Sequence, residues 1–337
     1  MKTLLHLTLI IGLVAFSGCS TKKVFKPEKD TVVGSWKDKT NLNDSMVDVT
    51  ANGAVLKDGR ILSHDRIIDI HINTDKERLL DTDEKWIVTS QIDGNTTLTS
   101  KADHSIKEFF DLKKTVAAAS VKDDMLAVVF ASNELAIYSL KTKEILFHSE
   151  GNAPIVVDAK IVNPYFLDDL VLFLTLDGKI VIVNSKEKKV LRSMIISSAD
   201  KFNNVVAFNV VGDNLIAATG YELLSLAEKD IRASYEIRNM RYDEKDGIYI
   251  ATKQGEVVNL TPTLQLRSKT KFPFAHFLGM IVTDDKVYLL EKEGYIIALE
   301  KDLKSYKIYK VSIDSDSYVY VGDKAFYVDD KYFSIKK

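Results

Sequence analysis

Asp168-Asp169-Leu170-Val171-Leu172-Phe173-Leu174-Thr175-Leu176-Asp177-Gly178-Lys179-Ile180-Val181-Ile182-Val183-Asn184 holds two apolar runs of strand length, each introduced by an acidic turn. Asp-Gly pairs suit tight hairpins, because the central residues must tolerate positive φ, which Gly does freely and Asp or Asn at little cost. The same unit returns along the chain. Asp123-Asp124 leads into Met125 to Phe130, Asn133-Glu134 and Leu135 to Tyr138. Gly212-Asp213 precedes Leu215 to Ala218, and Asp246-Gly247 precedes Ile248 to Ala251 and Gln254-Gly255. Asp284-Asp285 opens onto Val287 to Leu290 and Glu293-Gly294, and Gly322-Asp323 onto Ala325 to Val328 and Asp329-Asp330.

From Asp124 the turn acids fall at 169, 213, 246, 285 and 323, in steps of 45, 44, 33, 39 and 38 residues. Two weaker copies lie upstream, Trp86 to Ser90 with Asp93-Gly94 and Ala54 to Leu56 with Asp58-Gly59, which brings the count to eight. No long segment keeps a 3.6-residue apolar stripe, so the chain reads as all-β. A period near 40 residues is the length of a four-stranded propeller blade, and radial repetition buries sheet faces that one unit alone leaves bare. The expected fold is an eight-bladed β-propeller with four-stranded antiparallel blades. A sandwich or a solenoid is the alternative.

After Ile335 only Lys336 and Lys337 remain, so the eighth unit has room for three strands, Tyr318 to Val321, Ala325 to Val328 and Tyr332 to Ile335. The lone run Thr31 to Trp36 stands ahead of the first unit. An N-terminal strand supplied to the last blade closes the ring and covers its open edge; the other reading is that this run pads the first blade.

The 337 residues carry 46 basic and 48 acidic side chains, net charge −2, with 46% hydrophobic and 28% charged residues. This is globular composition, and collagen-like or wholly disordered chains are excluded. Balanced charge supplies no field to gather phosphate backbones, so no nucleic-acid partner is expected. The single cysteine forms no intrachain disulfide. It is Cys19, which follows an apolar stretch from Leu4 to Phe16 and then Ser17-Gly18. That stretch is too short to span a bilayer core of about 30 Å and suits a signal-peptide apolar region.

The segment ending at Cys19 resembles the bacterial lipoprotein box, which implies removal of residues 1–18 and lipidation of Cys19. Ser20 follows, without the Asp that resembles an inner-membrane retention signal, so the expectation is an outer-membrane anchor facing the periplasm. A plain secretory signal with an incidental cysteine is the competing reading. Thr21 to Asp30, with four lysines, reads as a flexible tether, which places one propeller domain at 31–337.

Gly178 to Asn184 followed by Lys188-Lys189-Val190-Leu191, and Leu135 to Leu140 followed by Thr142 to Phe147, resemble the repeat of pyrroloquinoline-quinone-type propellers. Trp36 falls where those propellers place a blade-ending Trp. Two functions compete within that superfamily. Quinone dehydrogenases resemble the repeat but need a metal-binding acidic set and long insertions, for which this chain has no room. The BamB family, non-catalytic lipoproteins of the outer-membrane β-barrel assembly machinery, is similar in its eight blades, its lipid anchor and its lack of a cofactor.

Pro262-Thr263-Leu264-Gln265-Leu266-Arg267-Ser268 resembles the loop with which that family contacts the periplasmic domains of the barrel-forming protein. The resemblance implies Leu264, Leu266 and Arg267 as partner-binding residues, acting in a monomer held within a larger complex. The bland reading makes the stretch an outer strand with both leucines facing inward.

The search for reaction chemistry is negative. His64, His71, His104, His148 and His276 show no zinc-ligand spacing, and the acidic clusters 81–84 and 314–316 lack a calcium loop's Gly and distal Glu. No Gly-x-Ser-x-Gly elbow or phosphate-binding glycine fingerprint occurs. No catalytic, metal or cofactor residue is assigned. Tyrosines crowd the last two units, where cross-strand packing is the expected role and an aromatic contact surface the alternative. The leading expectation is a non-catalytic scaffold in barrel assembly. The alternatives are a periplasmic quinone-dependent oxidoreductase and an envelope binding module unrelated to barrel assembly.

Overall fold

Eight buried apolar clusters form, and each fills the interface between one pair of neighbouring blades. The fold is seen in a computed structural model that describes residues 23–227, 229–314 and 316–335. The expected signal peptide 1–18 and lipidated Cys19 lie outside the described residues. The chain forms an eight-bladed propeller, and each of the eight sheets is built on a repeat unit read from the sequence.

The first strands of blades 1 to 8 are Met46–Thr50, Arg78–Thr82, Val116–Lys122, Tyr165–Leu167, Ala207–Val211, Ile237–Asp243, Phe277–Val282 and Val319–Val321. They stand around the central channel. Val319–Val321 meets Met46–Thr50, which brings blade 8 back to blade 1.

Burial is greatest in the middle strands of each blade and least in the outermost. The second strand of blade 3, Met125–Phe130, is buried at all but its first residue, whereas the fourth strand of blade 4, Lys189–Ile195, is exposed at all but Met194. Middle strands touch a neighbouring blade on both faces, so they read as continuous apolar runs. The turns follow the sequence chemistry: Asp123 and Asp168 adopt φ of 53° and 49° between first and second strands. Gly178 takes φ +82°, and a Cβ there would stand 2.8 Å from the backbone oxygen of Asn203. Blade 3 has Asn133 at the matching turn, with φ 66°, and its Oδ1 accepts the Leu176 N–H of blade 4 at 2.8 Å.

An N-terminal strand closes the last blade, as expected, but the residues differ from the apolar run singled out above. Lys39–Asn41 pairs antiparallel with Lys331–Ser334, Lys39 opposite Phe333 and Asn41 opposite Lys331. Val32–Ser35 pairs in parallel with Tyr306–Lys310 and gives blade 7 a fifth strand. The outermost strand of a blade is exposed and needs no apolar residues, so the sealing strand carries no hydrophobic signature. Trp36 bridges the two blades. Its Nε1 donates to Ser334 O at 3.1 Å, and its ring meets Tyr288 and Tyr309 edge-on at 6.0 and 5.1 Å.

The described part of the expected tether is docked rather than free. Phe25, 5% exposed, lies in the core cluster between blades 6 and 7 and meets Phe272 and Tyr295 edge-on at 6.1 and 5.8 Å. Within a lysine-rich stretch, burial of one aromatic ring outweighs the polar composition. The tyrosine-rich end packs internally: Tyr327 stands 5.9 Å from Tyr320 and 5.2 Å from Tyr332 across blade 8.

Candidate functional site

Residues 150–164 connect the outer strand of blade 3, Ile145–Ser149, to the inner strand of blade 4, Tyr165–Leu167, without forming a strand of their own. Fifteen residues exceed what a blade-to-blade step needs. The surplus enters the central channel and is fastened on three sides. At blade 5, the fully buried Asn204 receives the Asp158 N–H on Oδ1 at 2.6 Å, and its Nδ2 donates to Lys160 O at 2.7 Å and Asp158 O at 3.3 Å. At blade 6, Lys160 Nζ donates to Arg238 O and Asn239 Oδ1, both at 2.7 Å. At blade 2, Asn163 Nδ2 donates to Leu80 O at 2.9 Å.

In a ring of eight, blades 2 and 6 face each other across the axis, so residues 158–163 form a strap that crosses the channel and narrows it. Ala159, Ile161 and Asn163 leave a void of about 20 Å³ against Leu79, Leu80 and Ala117, roughly the space of one water.

Enclosure moves the ionisable groups around the strap. Burial draws the Lys160 ammonium down to about 8, and the nearby Arg241 guanidinium adds to the effect. Burial pushes the Asp81 carboxyl up to about 6, although Ser120 Oγ donates to it at 3.1 Å. Away from the axis, at the end of the second strand of blade 7, fully buried Glu291 is pushed up to about 7 by burial, although the backbone N–H groups of His276 and Glu293 donate to it at 3.1 and 2.7 Å.

Because strands alternate in direction, the turns after first and third strands share one face of the disc, and second-strand turns share the other with the blade-to-blade connectors. The acidic turns at Asp124, Asp169, Asp213, Asp246, Asp285 and Asp323 therefore ring one mouth of the channel. Leu264, Leu266 and Arg267 belong to the same face, at the turn from the third to the fourth strand of blade 6. The structure gathers them at one tip but gives them different roles. Leu264, at φ 60°, packs half-buried on the core between blades 5 and 6. Leu266 begins the outer strand and is 55% exposed. Arg267 is exposed and its Nη1 donates to Asp246 O at 2.6 Å. Ser225 Oγ of blade 5 donates to Pro262 O at 2.6 Å and braces the tip.

Sequence reasoning missed Lys160, Asn163, Asn204 and Arg238. Its available signal was length: the step from Asp124 to Asp169 is the longest in the repeat, and Pro154 and Pro164 punctuate the extra residues. Among the described residues, no three His, Cys, Asp or Glu side chains converge to hold a metal ion. Residues 158–163 cross the axis, and a cavity of about 350 Å³ remains on its other side, lined by Ala51, Arg241, Ile281 and Tyr320 of blades 1, 6, 7 and 8 without a metal-holding acidic set. The site offers two loop faces carried on a closed ring whose channel the strap crosses.

No protein-family profile matches the chain. Plasminogen-binding protein PgbB of Helicobacter pylori strain J99 is 28% identical over 350 residues, and the protein of the same name from strain 26695 is 27% identical. These matches cover 90% of this chain, which spans 64% of the length of those curated relatives. Among solved structures, BamB from Moraxella catarrhalis superposes with a TM-score of 0.67 at 13% identity, over 88% of this chain and 98% of that one. The C-terminal WD40 domain of Sif2 superposes with a TM-score of 0.64 at 14% identity, over 90% of this chain and 99% of that one. At such identities the superpositions establish the shared propeller fold.

Proposed function

We propose that this protein is a non-catalytic binding propeller of the bacterial envelope, anchored to the outer membrane through lipid on Cys19 and engaging a protein ligand through its loops. The observation that carries the reading is the strap, which takes up part of the channel where a propeller can enclose a small substrate and so favours the loop faces as the binding surface. The similarity to a plasminogen-binding protein over nine-tenths of the chain supports a protein as ligand. The anchor holds the disc at the membrane and raises its effective concentration there.

A second reading, a scaffold in outer-membrane barrel assembly, is favoured by the braced tip with exposed Leu266 and Arg267. Arg can pair with a partner carboxylate while Leu supplies apolar area. Surface plasmon resonance on the immobilised full chain separates the two readings. Saturable binding of plasminogen supports the first, and binding of the periplasmic domains of a barrel-assembly protein supports the second. Failure of both refutes the protein-ligand proposal.

A further inference from the structure

Beside the strap, on the face that carries the blade-to-blade connectors, lies a chamber of about 140 Å³. Lys160, Arg238 and Lys253 stand on its polar side with a single carboxylate, Asp158, and Val206 and Leu278 lie on its apolar side. Three cations against one anion is an unbalanced wall. Among the described residues none of the three lies within 4.0 Å of a carboxylate, although lysines and arginines elsewhere do, Lys301 at 2.9 Å from Asp243 among them.

The donors are also incompletely used. Arg238 Nη1 lies 2.7 Å from His276 Nε2. A guanidinium only donates, so that imidazole nitrogen must be the unprotonated one. Arg238 Nε is buried and has no acceptor. Lys160 spends two of its three N–H groups on Arg238 O and Asn239 Oδ1, which leaves one. Lys253 is exposed on the outer wall, its Nζ 5.2 Å from the centre of the Tyr221 ring. Burial also holds the Arg238 guanidinium below its usual value. Arg238 and Lys160 share the single Asp158 carboxylate as counter-charge, and an anionic group placed here offsets the surplus positive charge and accepts the spare Lys160 N–H.

We propose that this chamber is a binding site for one oxyanion group, a carboxylate or a phosphate, held by Arg238, Lys160 and Lys253. Arg238 supplies a directional donor and the lysines supply point charge. The volume admits a group of a few heavy atoms and excludes a nucleotide or a quinone. The chamber opens beside the strap, so an occupied site also ties blade 6 to it through Lys160. This inference does not depend on the identity of the protein ligand.

The test is thermal unfolding of the full chain in mild detergent, at low ionic strength, with sodium phosphate, sodium acetate or sodium chloride added at equal ionic strength. Phosphate at about a hundred times its dissociation constant is expected to raise the melting temperature by about 5 °C over chloride. A rise with acetate as well assigns a carboxylate-sized site, and a rise with phosphate alone assigns a phosphate site. Arg238→Met and Lys253→Met are expected to weaken the apparent affinity at least about tenfold. Lys253 is exposed, so its variant tests the proposal even if Arg238→Met folds poorly. An oxyanion effect no larger than that of chloride, or one of equal size in the Lys253→Met variant, overturns the proposal.

Discussion

Asn204→Ala is the sharpest perturbation of the strap. The side chain is fully buried and makes three hydrogen bonds to the strap, at 2.6, 2.7 and 3.3 Å. At about 1 kcal/mol net for each, undocking of residues 158–163 becomes easier by about 3 kcal/mol. At 1.4 kcal/mol per factor of ten, that is about a hundredfold in the local opening equilibrium. The strap is a connector, so it can lift without unpairing any blade strand. Hydrogen exchange followed by mass spectrometry should therefore show protection across 156–163 falling about a hundredfold, while Met125–Phe130 in the core of blade 3 stays as protected as before. Unchanged protection in the strap, or equal loss in the strap and in Met125–Phe130, would refute the argument that Asn204 fastens the strap.

Trp36→Ala removes the Nε1 bond to Ser334 and the edge-on contacts with Tyr288 and Tyr309, which join blade 7 to the closing blade. For a half-buried ring this costs about 2–3 kcal/mol, and the melting temperature should fall by about 5 °C; a fall of under about 1 °C contradicts the role given to Trp36. Stability should also decline from pH 5 to pH 8. Glu291 is raised from 4.5 to about 7 in the folded chain, so the folded state binds its proton more tightly, and stability is lost as pH rises through that window. The size is about 3 kcal/mol for this fully buried group, and Asp81, raised to about 6, acts with the same sign. Urea unfolding at the two pH values checks it, with a flatter dependence expected in Glu291→Gln and a wild type equally stable at both as the contrary result. Arg267→Glu should weaken protein-ligand capture without lowering the melting temperature, because the side chain is exposed; undiminished capture removes the blade 6 tip from the binding surface.

What the sequence disclosed follows from where burial is greatest. Second and third strands such as Leu170–Leu174 and Lys179–Asn184 touch neighbours on both sides, and their apolar runs and Asp-Gly turns were enough to count the blades. The outer strand Lys39–Asn41 is wholly exposed, and nothing in Lys-Thr-Asn distinguishes a ring-closing strand from a loop. Phe25 was hidden by its charged neighbours, since composition describes a segment whereas docking is decided by one ring. The strap was illegible for a different reason. Asn163, Lys160 and Asn204 are ordinary surface residue types, and their roles arise from hydrogen bonds to blades as far as 83 residues away in sequence. Leu266 and Arg267 were singled out through a family resemblance, and the geometry adds their exposure on one braced tip.

The claim on which the account rests is that the strap of residues 158–163, which crosses the axis, keeps a cofactor out of the channel, so that function resides on the loops. Equilibrium dialysis of the detergent-solubilised full chain against pyrroloquinoline quinone and calcium tests it most directly. The account predicts that no quinone absorbance is retained after dialysis. One quinone held per chain would show that the strap yields to a cofactor and would restore the oxidoreductase reading.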